Sequence, residues 1–164
     1  MKRGLMRATG RSRTAPRLGV AALALVVSAS APRLVRADAP AGRYTITGGT
    51  VFDTKTKLTW QQTVSSGQVT WANAKTFCPT LGASLGGGTW RVPTLKELLT
   101  IVDRSRASGP FIDQTAFPSA PGGLSWTLTT VAGISNGAWV VNFDTGVATT
   151  TASTTNQNPV RCVR

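Results

Sequence analysis

The sequence predicts an α+β domain in which two short helices pack on antiparallel sheets beside a long loop region. Three observations predict it. Thr- and Gly-rich stretches with period-two apolar alternation occur near both ends of residues 38–164. Two segments, 69–81 and 94–102, instead place apolar residues at helical spacing behind a Thr that can cap. Between them and the final strands runs a loop broken by Pro118, Pro121 and Gly122-Gly123.

Residues 1–37 are set apart from that domain. Lys2, Arg3, Arg7, Arg11, Arg13 and Arg17 precede the short apolar run Leu18–Val27, and small-x-Ala sites follow at Val35-Arg36-Ala37 and Ala37-Asp38-Ala39. This is the layout of a secretory signal peptide, too short in its apolar run for a membrane span. No Cys follows for a lipoprotein anchor, and the paired arginines of a twin-arginine signal are missing. The formal charge of +12 is mostly this segment: eight of the 18 basic residues lie in it, and all six acids lie after it. The remaining chain carries ten basic residues against six acids, a net +4. That suits solubility and mild steering of anions, and it is no argument for nucleic acid.

Within 43–62, Tyr44 and Ile46 alternate with Thr, as do Leu58 and Trp60, so short strands are expected on either side of Gly48-Gly49 and an Asp53–Lys57 turn. Thr70 caps the first helix, whose stripe is Trp71, Ala74, Cys78 and Leu81, with Pro79 at its final turn. Thr94 and Glu97 form a T-x-x-E capping box for the second. Leu95, Leu98, Leu99 and Val102 make its apolar face, and the helix is expected to run into polar residues before Gly109-Pro110. Lys96 and Arg104 are read as solvated. Arg91, between Trp90 and Val92-Pro93, is read as a structural contact through its planar fork. A strand is expected near Leu124–Thr129. A hairpin follows, with Trp139, Val141 and Phe143 alternating before an Asp144-Thr145-Gly146 turn. A last short strand places Cys162 in the sheet, on the face of Val160 and opposite Val163, with Arg161 and Arg164 toward solvent.

Cys78 and Cys162 are the only two cysteines. In an exported chain an even pair is most simply a disulfide, against two free thiols or a metal pair. The chain holds no His and no CxxC, so common zinc and copper sites are not expected, and no cofactor is implied.

The stretches TVFDTKTKLTWQQ, VTWANAKTFC, GTWRVPTLKELLTIVD, AFPSAP, SWTLTT, AWVVNFDTGV and PVRCVR, in this order, resemble the Lcl C-terminal domain family over residues 44–164. Val92 stands where the family usually has Leu. Thr127 and Leu128 stand where it usually has serines, which removes a polar side chain. The resemblance implies a layout similar to C-type-lectin-like and formylglycine-generating-enzyme-like domains. Strands lie near both ends, two helices come early, and a long loop leads into a final antiparallel sheet. It also implies a disulfide from the first helix to the last strand, which Cys78 and Cys162 match by position. Fold alone does not give function.

For function, the absence of His removes the common nucleophile–base pairs. Both cysteines are better explained as a disulfide than as reactive thiols. Asp103, Asp113 and Asp144 would have to meet in space to act as paired carboxylates. The tripeptides that hold sugar and calcium in lectins are absent. The expectation is therefore a non-enzymatic, exported binding or adhesion module of the bacterial envelope, recognising glycans or anionic surface polymers. A purely structural envelope domain is the alternative, ahead of a carboxylate-based enzyme. The candidate contacts are Trp126 as a stacking platform and the basic pairs Lys55/Lys57 and Arg104/Arg106. The function is placed in the loops between about 105 and 137 or on a surface patch, and the sequence leaves the oligomeric state open.

Overall fold

In the computed structural model the chain divides into two units, residues 1–34 and 35–164. The structure describes residues 40–64, 67–151 and 153–164, all in the second unit, so the expected signal peptide over 1–37 lies outside the described residues. The elements run β1 (Tyr44–Thr47), β2 (Thr50–Asp53), β3 (Thr59–Gln61), α1 (Trp71–Thr80), α2 (Leu95–Thr100), β4 (Leu124–Thr130), β5 (Ala138–Asn142) and β6 (Val147–Thr151), with a 3-10 turn at Leu81–Ala83 after α1. The fold is α+β: β1-β2-β3 and β4-β5-β6 are two separate antiparallel meanders.

Each turn follows from local chemistry. Gly48 and Gly49, at φ of 54° and 77°, close the β1–β2 hairpin in a region that costs a side chain strain. Thr70 caps α1 by accepting from the Asn73 N–H, and Pro79 is tolerated in the last turn. The Thr94–Glu97 capping box starts α2 with both of its reciprocal bonds in place. α2 is shorter than its apolar spacing predicts. It stops at Thr100, where the Ile101 N–H is shared between the Leu98 and Leu99 carbonyls. Asp103 N–H then bonds Phe111 O instead of continuing the helix. The apolar face nevertheless persists, with Ile101 buried and Val102 half-buried beside Leu98.

Residues 160–164 do not form a continuous strand but lie between two partners. Thr59 and Arg164 exchange both backbone bonds, Gln61 N–H donates to Cys162 O, and Val163 exchanges both bonds with Arg91. The segment thus extends the first sheet past β3 and pins Arg91 on its far side. Alternation then sorts the side chains between two cores. Val163 joins Val51, Trp60, Leu98, Ile101, Phe117 and Val141. Val160 and Cys162 join Ala74, Cys78, Trp90, Trp126 and Val140. Cys78 and Cys162 form the disulfide, 84 residues apart in sequence, with Cα atoms 5.6 Å apart.

β5 is buried the same way. Alternation predicts one inward face through Trp139, Val141 and Phe143. Instead Val140 and Val141 are both fully buried, one in each core, and Trp139 is half-buried. A strand between two cores has no solvent face, so period two does not appear in its burial. Ile46 also departs from the sequence pattern: Tyr44 packs onto the first core, while Ile46, further along β1, stays exposed. No helix of the described residues is long and apolar enough to cross a membrane.

Candidate functional site

The basic pairs come first because charge can act at a distance. Lys55 and Lys57 are exposed on the tight turn between β2 and β3, where Lys57 takes φ of 63° and its N–H bonds Asp53 O. Asp53 is buried at the base of that turn and accepts from Arg43 through both carboxylate oxygens, at 3.1 and 2.7 Å. Burial pushes the Asp53 carboxyl upward. The bonds from Arg43, the Lys55 N–H and the Thr56 hydroxyl outweigh it and hold the group below the usual carboxylate range. The same Arg43 donates to Thr100 O at 2.6 Å, and its guanidinium also feels the charge of Asp103. Arg43 therefore clasps the Lys55–Lys57 turn to the end of α2, from which Arg104 follows. Arg104 is exposed and its guanidinium donates to Gly146 O on the β5–β6 turn; Arg106 is half-buried.

Trp126 is not a stacking platform. It is fully buried in the second core and its indole N–H is spent on Val69 O at 2.7 Å. The edge of a long loop region suggested exposure, but the indole faces inward from β4 against the disulfide-bearing core. Trp60 and Trp90 are buried as well. Trp71 is half-buried under Lys75, whose ammonium lies 3.7 Å from the ring centre.

The Trp90–Glu97 stretch is scaffold. Arg91 meets Glu97 with two parallel bonds of 2.8 and 2.7 Å. Glu97 also accepts from the Thr94 N–H and hydroxyl. The Arg91 bond, with those of Thr94, lowers the Glu97 carboxyl to about 2 despite partial burial. A Thr129 hydroxyl accepts from the Leu95 N–H, so β4 helps to cap α2 beyond its local box. That bond arises at an irregularity in β4 between Trp126 and Thr130, which no local pattern announces.

Asp103 and Asp113 each serve their local turns. Asp103 caps the Ser105 N–H and hydroxyl, and Asp113 caps the N–H groups of Thr115 and Ala116. The Asp144 carboxylate packs beneath Gly122, where a Cβ would collide with it. Among the described residues no group of three His, Cys, Asp or Glu is placed to hold a metal ion.

Three residues escaped the sequence reading. Arg161, expected in solvent, is 2% exposed. Its Nη1 donates to Gln61 O and Gln62 O at 2.7 and 2.6 Å, and its guanidinium stacks 4.7 Å from the Phe117 ring centre. Burial alone lowers its pKa, and the group stays charged at neutral pH. Arg164 is half-buried over Trp90 and donates to Gly87 O at 2.6 Å. Asn158, 9% exposed, lines a cleft of about 430 Å³ between Thr63, Val64, Gly67 and Gln68 on one side and the 119–124 loop on the other. The polar character of Arg161 suggested solvent. Only the fold shows that the chain on both sides of it is enclosed.

The described residues thus define a disulfide-tied α+β domain whose two sheets enclose separate cores. Exposed charge sits on its turns at Lys55, Lys57 and Arg104. The chain belongs to the Lcl C-terminal domain family, whose model matches residues 49–164. No curated protein matches the chain.

Proposed function

We propose that this domain is an exported, non-enzymatic binding module of the bacterial envelope that recognises anionic surface polymers, including acidic glycans, through its basic turns. The observation that carries this reading is the Arg43 clasp, which fixes the exposed Lys55–Lys57 turn beside the segment leading to Arg104. Fixed cations on neighbouring turns suit a repeating polyanion, because each contact adds to the next without a deep pocket. The Cys78–Cys162 disulfide supports an oxidising compartment. The helix-to-terminal-segment disulfide is also the feature that favours a C-type-lectin-like layout.

A glycan array probed with the purified protein, with and without chelator, tests the reading. Binding to sulfated or carboxylated polymers is expected to survive chelator and to fall steeply with salt. Lys55→Glu with Lys57→Glu should reduce it at least tenfold. Silence across acidic glycans would favour a purely structural envelope domain. Export is checked by intact mass: mature protein should lack residues 1–37 or 1–39, and retention of Met1–Arg36 would refute cleavage.

A further inference from the structure

A second site lies away from the basic turns. Arg161 floors a narrow recess of about 10 Å³, walled by Val64, Ala120, Ser125, Phe143 and Pro159. Val64, Pro121 and Pro159 also line the 430 Å³ cleft, so recess and cleft share walls. Both hydrogen bonds of Arg161 leave from Nη1, which leaves Nε and Nη2 without a protein acceptor among the described residues. No carboxylate pairs with Arg161 among the described residues. A buried guanidinium without a counter-charge is costly, and two carbonyls and a ring face offset that cost only in part. On the other side of Pro159, the Asn158 side-chain Nδ2 is buried in the cleft wall and makes no hydrogen bond. A cation without a counter-charge and an unpaired, enclosed amide thus lie three residues apart, in the walls of an adjoining recess and cleft.

We propose that this cleft binds a small ligand through its carboxylate, one oxygen directed into the recess toward Arg161. The size of the recess selects the chemistry. It has room for about one water-sized atom, which admits a carboxylate oxygen. Behind that oxygen a planar carboxylate is slimmer than a tetrahedral sulfate or phosphate, which narrow walls disfavour. The guanidinium supplies the charge. The cleft has the volume of a small-molecule site. Two sources fit this chemistry: the C-terminal carboxylate of a peptide, and the uronate of a sugar acid.

The test is amide-detected NMR titration of the purified protein with trialanine, trialaninamide, glucuronate, glucose and inorganic sulfate, each to roughly 10 mM, ten times a weak millimolar Kd. Shifts at Gly122, Gly123 and Asn158 are expected with at least one of trialanine and glucuronate, and none with its uncharged counterpart. Trialanine alone would name a peptide terminus, and glucuronate alone a sugar acid. Asn158→Asp sets a carboxylate at the mouth and should weaken binding at least tenfold while the other amide signals stay in place. Arg161→Met should abolish binding; because it leaves two carbonyls unsatisfied, Asn158→Asp carries the test if that variant does not fold. Absence of shifts with both carboxylates, equal shifts with the uncharged counterparts, binding of sulfate alone, or undiminished binding by Asn158→Asp would overturn the proposal. Loss of polymer binding on Lys55→Glu with Lys57→Glu would leave it untouched, because the two sites share no residue.

Discussion

Glu97 shows how one side chain acquires a second role from its surroundings. The sequence reads it as a helix cap, and by that reading Gln would replace it at less cost than losing Thr94. The structure reverses the order, because the Arg91 fork needs a carboxylate to accept two parallel bonds. Thr94→Ala should destabilise by about 1 kcal/mol through the lost cap. Glu97→Gln should cost about 1–2 kcal/mol, trimmed because solvent reaches the Arg91 half of the pair. The pH dependence has a definite sign. The Glu97 carboxyl is lowered from 4.5 to about 2 on folding, so its contribution is complete above pH 4.5 and is lost as pH falls toward 2. Chemical denaturation of wild type and Glu97→Gln at pH 7 and pH 3 checks this. The gap between them should narrow at pH 3, and a gap independent of pH would remove the ion pair from the account.

At the scale of elements, legibility followed the range of the interaction. The caps of α1 and α2 and the β2–β3 turn were readable because their partners lie within a few residues. The early end of α2 was not, because it depends on Phe111 drawing Asp103 away. Two-sided burial of β5 was hidden for the same reason: neither Val140 nor Val141 reports which core it will meet. Among candidate site residues, Lys55 and Lys57 were legible as exposed turn charges. Trp126 misled because an indole at a loop edge suits both a platform and a core. The cleft at Asn158 and the recess at Arg161 were illegible, since their walls come from Thr63, Val64, Gly67 and Gln68, from 119–124 and from 158–161, far apart in sequence.

For the molecule as a whole, the disulfide is the one covalent tie between α1 and the segment that separates the two cores. Cys78 and Cys162 are fully buried in the second core, so the bond adds loop-closure entropy to packing that is already dense. Replacing both by Ala should destabilise by about 2–5 kcal/mol. Hydrogen exchange should then quicken first at Val160–Val163, whose hydrogen bonds reach Gln61 and Arg91. Thiol titration of the unfolded, unreduced protein should find no free thiol, and two free thiols would reject the pairing.

The placement of residues 160–163 also governs the order in which the domain can assemble. Arg161 reaches Gln61 across 100 positions, and Val163 supplies an inner wall of one core while Cys162 supplies that of the other. Neither core is sealed until this segment arrives, so the hairpins and capped helices before it are half-built surfaces with apolar sides still wet. Sequence-distant closure of this kind puts the domain among slow, high contact-order folders. Under the export proposed above, that delay would serve the chain: everything ahead of the closing segment would stay too loose to jam the passage, and the fold would lock once the segment had crossed.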